Sequence, residues 1–189
     1  HTLRSLLLLP PPLLIAAAAL ITGSAHASDD ALGLPPQPRP DAAQVDLGRA
    51  LFFDRTLSVN GTLSCAMCHV PAQGFTVNEI RTAVGMEGAS LRRNAPTLLN
   101  VAYVSPLFLD GRTPTLEQQA LEPFTHPAEF ANPGMAPVLK RISATPAYRP
   151  LLNRAFGRGS EPTASRVATA LAAFQRSLGA AGSPFDRWR

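Results

Sequence analysis

Two cysteines and a histidine, in the order Cys65-Ala66-Met67-Cys68-His69, carry most of the chemistry that this chain of 189 residues can offer. Thiols three positions apart reach the two vinyl groups of one haem, and the imidazole that follows then faces the iron, so the pentad is a c-type haem attachment signature. On this reading Cys65 and Cys68 are the tether of a haem c and His69 is its proximal iron ligand. The same pair could also form a redox dithiol or half of a zinc site. A thioredoxin-like dithiol belongs at the end of a strand in a βαβ unit, and no such alternation surrounds residues 55–80. A zinc site needs further ligands, and the chain has no other cysteine.

The start of the chain bears on the same question. Arg4, an apolar run over residues 6–21 and the small-residue stretch Gly23-Ser24-Ala25-His26-Ala27 fit a secretory signal cleaved after Ala27, which places the mature protein in the periplasm. As a membrane span the run is shorter than the ~20 residues required and is interrupted by Pro10, Pro11 and Pro12. Residues 28–189 then remain, enough for one domain with a core. The net charge of +4 falls to +3 with Arg4 removed, and the basic residues are all Arg except Lys140. Nothing in their placement resembles a nucleic-acid-binding stripe. The absence of an initiator Met and the stop at Arg189 mark the sequence as an expected part of a longer product.

Helices must position the pentad. Residues 28–43, with Pro35, Pro36, Pro38 and Pro40, read as an extended lead-in, and the domain is expected from residue 44 to 189. Apolar positions at helical spacing predict a first helix over residues 45–53. Residues 55–112 lack sustained periodicity and are rich in Gly, Pro and Asn, as expected where loops pack on a covalently held haem. Thr115 with Gln118 has the spacing of a capping box and opens a helix to about Leu121, which Pro123 ends. Further helices are predicted over 135–143 and 146–156, and a clear one over 163–178 with Val167, Leu171, Phe174 and Leu178 on one stripe and Gly179 as its stop. No strand and no internal repeat is signalled.

With the pentad placed, further segments resemble the bacterial dihaem cytochrome c peroxidases and the related MauG-type enzymes. These are Leu47-Gly48-Arg49-Ala50-Leu51-Phe52-Phe53-Asp54, Leu57-Ser58 through His69, Arg93-Asn94-Ala95-Pro96-Thr97-Leu98-Leu99-Asn100, Asp110-Gly111-Arg112, Leu116-Glu117 with Gln119-Ala120, Ala170-Leu171-Ala172-Ala173-Phe174-Gln175-Arg176-Ser177-Leu178 and Ser183-Pro184-Phe185-Asp186-Arg187. Their order and spacing cover residues 45–188. The resemblance implies an all-α, cytochrome c-like haem domain with long loops. It also implies that this is the N-terminal, peroxide-reacting domain of a pattern whose second haem domain is missing from these residues.

Several roles follow from the resemblance. The family places a Gln and, ten positions later, a Glu beside the open face of the haem, which Gln119 and Glu129 match, so Glu129 would move the peroxide proton and Gln119 would hold peroxide or water. A displaceable sixth ligand of some members falls at Met86, and His126 and Met135 are the other candidates; the iron is expected open or water-capped. Leu109 replaces a frequent Trp that lies between the haems, which leaves more direct tunnelling, or another residue such as Trp188 or Tyr103, as the electron route. Asn94 falls where the family supplies one ligand to a Ca²⁺ that takes six to eight oxygens. Arg92, Arg93 and Arg112 are candidate partners for haem propionates.

The leading functional expectation is a peroxidase that reduces hydrogen peroxide to water with electrons from a small cytochrome or copper protein. A MauG-like oxidation of a partner protein is the alternative within the same scaffold. From another class, a c-type electron-transfer cytochrome would have its iron closed by Met86, Met135 or His126. A homodimer is compatible with each.

Overall fold

The computed structural model describes residues 37–181 and 183–188; the export segment expected at 1–27 lies outside the described residues, as does most of the Pro-rich lead-in. Eight α-helices run in order among the described residues: α1 (Ala42–Phe53), α2 (Cys65–Cys68), α3 (Leu116–Gln119), α4 (Glu122–Thr125), α5 (Met135–Ala144), α6 (Tyr148–Phe156), α7 (Ala164–Arg176) and α8 (Pro184–Trp188). Among the described residues the only β-pairing is three isolated antiparallel bridges, Val70 with Thr76, Val84 with Ser90 and Leu107 with Thr113. The fold is all-α, as expected. No helix among the described residues is long and apolar enough to cross a membrane.

The scaffold is the crossing of α1 and α7. Asp41 starts α1 three residues earlier than the apolar spacing indicated, because its carboxylate accepts the Gln44 N–H at 2.9 Å and satisfies a first-turn donor. Thr163 caps α7 in the same way, accepting the Arg166 N–H. Leu47, Leu51 and Phe52 of α1 and Val167, Ala170, Leu171 and Phe174 of α7 are all buried in one core. At the crossing a Cβ on Gly48 would lie 1.9 Å from the Ala170 carbonyl oxygen, so only glycine lets the two backbones approach. α6 closes against α1, and the Tyr148 hydroxyl donates to Asp54 at 2.7 Å, just beyond the end of α1.

Besides the early start of α1 and the late start of α6, which begins at Tyr148 rather than at 146, two more element boundaries differ from expectation. Pro123 does not terminate the helix opened by Thr115; α3 ends at Gln119, and Pro123 sits in the first turn of a new helix, α4, where its missing N–H has no intrahelical partner to lose. α7 stops at Arg176 rather than at Gly179, with the Ser177 N–H closing the last turn on Ala173 and Phe174.

The long segment between α2 and α3 is not loosely placed. Val70 and Phe75 pair across a tight loop through Phe75 N–H to Val70 O at 2.9 Å, and Thr76 reaches the Ala95 carbonyl at 2.5 Å. Met86 N–H donates to Ala128 O at 2.9 Å, and a Cβ on Gly85 would meet the same oxygen at 1.9 Å. The glycine-rich loop is thereby seated on the segment that carries Glu129.

Candidate haem site

α2 is one turn long and ends at His69, whose backbone N–H donates to Cys65 O at 2.9 Å. This turn sets both thiols and the imidazole in the wall of one largely apolar cavity. Its apolar wall includes Phe52, Leu63, Leu98, Phe130 and Leu171, and its polar lining includes Ser64, Gln119, Glu129 and Gln175. Cys65, Cys68, His69, Gln119 and Glu129, singled out from sequence, therefore meet in one place although the last lies 64 positions after the first.

The imidazole is held as a ligand requires. His69 Nδ1 lies 3.0 Å from Phe75 O, which fixes the proton on Nδ1 and leaves Nε2 bare. Burial lowers the His69 pKa and keeps the ring neutral, with the Phe75 and Pro96 carbonyls opposing. The carbonyl is aimed by a strained turn: Gly74 and Phe75 both adopt positive φ, 73° and 56°, a conformation uncommon for a bulky residue. Phe52, Phe75 and Phe174 pack around this side, with the Phe52 and His69 ring centroids 6.4 Å apart.

The thiols are unlike those of a reactive dithiol. Burial pushes Cys65 up to about 12, helped by Cys68, and Cys68 up to about 11, helped by the Glu129 charge. A thiol so far from ionised at neutral pH is a poor nucleophile. Among the described residues no group of three or more His, Cys, Asp or Glu could hold a metal ion on its own. An apolar pocket with two thiols and one neutral imidazole at its wall fits a covalently held haem, whose vinyl groups would each take up one thiol as a thioether.

Glu129 faces the same cavity from a turn that is itself locked. Its N–H donates to His126 O at 3.0 Å, while the next residue, Phe130, is buried edge-on against Phe124 at 5.2 Å. Asn132 then donates to Leu57 O and Phe124 O and accepts from Arg141 at 2.8 Å. Burial raises the Glu129 pKa, with His126 and Arg112 opposing and Glu122 adding. Gln119 ends α3, which is tied to α7 by the two-pronged contact of Arg176 with Glu117 at 2.5 and 3.0 Å. Arg176 holds the Glu117 carboxyl below the usual carboxylate range.

The remaining candidates lie elsewhere. Met86 is buried in the core and Met135 is packed against it, and neither they nor His126 line the cavity. Arg93 and Arg112 also stay outside the lining; both bind Asp110, at 2.7 and 2.8 Å, and Arg112 continues to Glu122 at 3.1 Å. They close the loop bridged by Leu107 and Thr113, and Arg112 lies 3.4 Å above the Phe108 ring. The Asn94 amide is spent on its own loop, donating to Val77 O at 2.7 Å and accepting from the Ala95 N–H. Leu109 is 64% exposed at the tip of its loop, and Trp188 in α8 is exposed beside Phe185. Sequence reasoning missed Gln175, which is 6% exposed and lines the cavity without a side-chain hydrogen bond to the described protein. Its only signal was a polar residue one place past Phe174 on the apolar stripe of α7.

Known proteins are similar to this chain. Over 145 residues the chain is 44% identical to the methylamine utilization protein MauG of Methylorubrum extorquens, covering 77% of this chain and 40% of that protein. It is 38% identical over 148 residues to the cytochrome c551 peroxidase of Nitrosomonas europaea, covering 78% of this chain and 43% of the relative. A solved MauG-like protein associated with microbial copper homeostasis superposes with a TM-score of 0.73 at 30% identity, over 82% of this chain and 48% of that one. The chain thus spans two-fifths to one-half the length of these relatives. The sequence pattern described as di-haem cytochrome c peroxidase matches residues 42–189, from the first residue of α1 onward. With His69, the two thiols and the α1–α7 crossing all inside that match, the chain belongs to the di-haem cytochrome c peroxidase family, whose cofactor is haem c.

Proposed function

We propose that these residues form the peroxide-reducing haem site of a periplasmic peroxidase, fed with electrons by a small cytochrome or copper protein. One observation carries the reading: a carboxylate whose pKa is raised by burial lines the same cavity as the haem-attachment residues, while no candidate sixth ligand does. An electron carrier closed on both sides of its iron has no use for such a group.

Bound haem supplies the iron that takes up peroxide and the electrons that break the O–O bond. The protein moves the proton. Glu129 takes the proton from the inner oxygen of peroxide and returns it to the outer oxygen, which then leaves as water. A carboxyl with a raised pKa is suited to both halves of this transfer near neutral pH. Gln119 offers an amide N–H to the outer oxygen or to an ordered water, and Gln175 lines the same cavity with a second amide. His69 would hold the iron through its bare Nε2, its ring fixed by Phe75 O. Phe52, Leu98, Phe130 and Leu171 keep bulk water away.

Glu129→Gln keeps size and polarity but removes the exchangeable proton. It should slow peroxide consumption by ~10²-fold or more while the haem absorption spectrum stays that of the parent. A parent-like rate would remove Glu129 from the reaction. Oxidation of a partner protein is a second reading, favoured by the 44% identity to the Methylorubrum MauG, and it uses the same cavity and proton transfer.

A further inference from the structure

Reduction of one peroxide to two waters consumes two protons and two electrons, so protons must reach the cavity from solvent. Glu129 is shielded, its side chain 29% exposed, and it faces inward. Besides the haem-attachment thiols of Cys65 and Cys68, three charged or titratable groups act on it: Arg112, Glu122 and His126. Arg112 is permanently charged and bound to Asp110 and Glu122. Glu122 is held by Arg112 and by the Thr113 hydroxyl at 2.6 Å. That leaves His126, whose imidazole nitrogens can both accept and donate a proton.

His126 is placed for the task. Its side chain is 49% exposed, and its Nδ1 lies 3.6 Å from Glu129 Oε1. Two backbone bonds hold the pair in register, Glu129 N–H and Ala131 N–H both donating to His126 O, at 3.0 and 3.1 Å. The Ala128 N–H donates to Nδ1 at 3.3 Å, so in the neutral ring Nδ1 carries the free lone pair. We propose that His126 carries protons from solvent to Glu129, resting on the reading of Glu129 as the acid–base group.

The step is balanced without any other reactant. Nδ1 takes a proton from hydrated solvent, which removes its acceptor role toward Ala128 N–H. A small ring rotation closes the 3.6 Å gap to a charge-assisted hydrogen bond with Oε1. The Nδ1–H bond breaks as the Oε1–H bond forms, and the neutral ring returns to Ala128. His126 touches neither peroxide nor haem in this scheme, so it is a proton-delivery residue acting through Glu129.

The test uses the haem-loaded protein with His126→Gln, His126→Ala and Glu129→Gln, all checked for a parent-like haem spectrum. His126→Gln should lower kcat for peroxide about tenfold above neutral pH, with KM little changed, and should flatten the pH profile. Free imidazole should restore His126→Ala. A readout without turnover is proton uptake, followed with a pH indicator, when fluoride binds the iron: uptake should slow in both His126 variants while fluoride affinity is retained. Parent-like pH profiles and uptake rates in both variants, with Glu129→Gln impaired, overturn the relay and leave the acid–base reading intact. If Glu129→Gln is itself parent-like, that reading fails and the relay fails with it.

Discussion

Glu129 is the residue at which fold and chemistry pull in opposite directions. A carboxyl raised by burial holds its proton in the folded protein at pH values where the unfolded chain has already lost it. The folded state then binds more protons than the unfolded one, so stability falls as pH rises from the ordinary carboxylate pKa to the raised folded value. Glu129→Gln removes that slope. Denaturant titrations from pH 4 to 8 should therefore show the variant gaining on the parent as pH rises, the reverse of what loss of a stabilising ion pair gives. Glu117 has the opposite sign: Arg176 depresses its pKa, and its contribution is present above the unfolded value and disappears as pH falls through the folded one. That carboxylate is more than a third exposed, so solvent screening keeps its effect small.

At the scale of elements, the site depends on how closely α1 and α7 cross, because Phe52 comes from one and Leu171 and Gln175 from the other. Gly48→Ala would drive a Cβ into the Ala170 carbonyl and to 2.8 Å from Phe174 Cβ, and backbone cannot step aside as a side chain tip can. The helices must part, at a cost of about 1–3 kcal/mol or more, seen as a Tm several degrees lower. A parent-like melting curve would show that the crossing tolerates a wider gap. Much at this scale was legible in the sequence: the apolar stripe of α7, the Thr115 cap and the attachment turn rest on local periodicity and spacing. The ends of α1 and α4 were not, since Asp41 lies before the apolar pattern and Pro123 reads equally as a stop or as a first-turn residue. Gln119 and Glu129 were found through resemblance rather than periodicity. Gln175 was hidden because a helical stripe shows which face is buried, not that part of the face borders a cavity. The partners of Arg93 and Arg112 depend on a loop that no local pattern announces.

At the scale of the molecule, the chain accounts for two-fifths to one-half of the relatives it matches and carries one attachment pentad, Cys65 to His69. Peroxide reduction takes two electrons, whereas one iron passing between ferric and ferrous supplies one. Large apolar side chains stand exposed, Val104 and Leu109 in loops and Phe185 in α8. These residues loaded with haem on their own should react with peroxide in a burst limited by the haem present, and then turn over slowly with a reduced small cytochrome as donor. A longer protein that adds a second haem should sustain turnover at the burst rate. Stopped-flow absorbance resolves the burst, and steady-state oxidation of the donor gives the slow phase. Rapid, sustained donor oxidation by residues 28–189 alone would mean that the second electron is stored on the protein itself, and would turn attention to Tyr148, buried and hydrogen-bonded to Asp54, as an oxidisable group able to pass its proton to a neighbouring carboxylate.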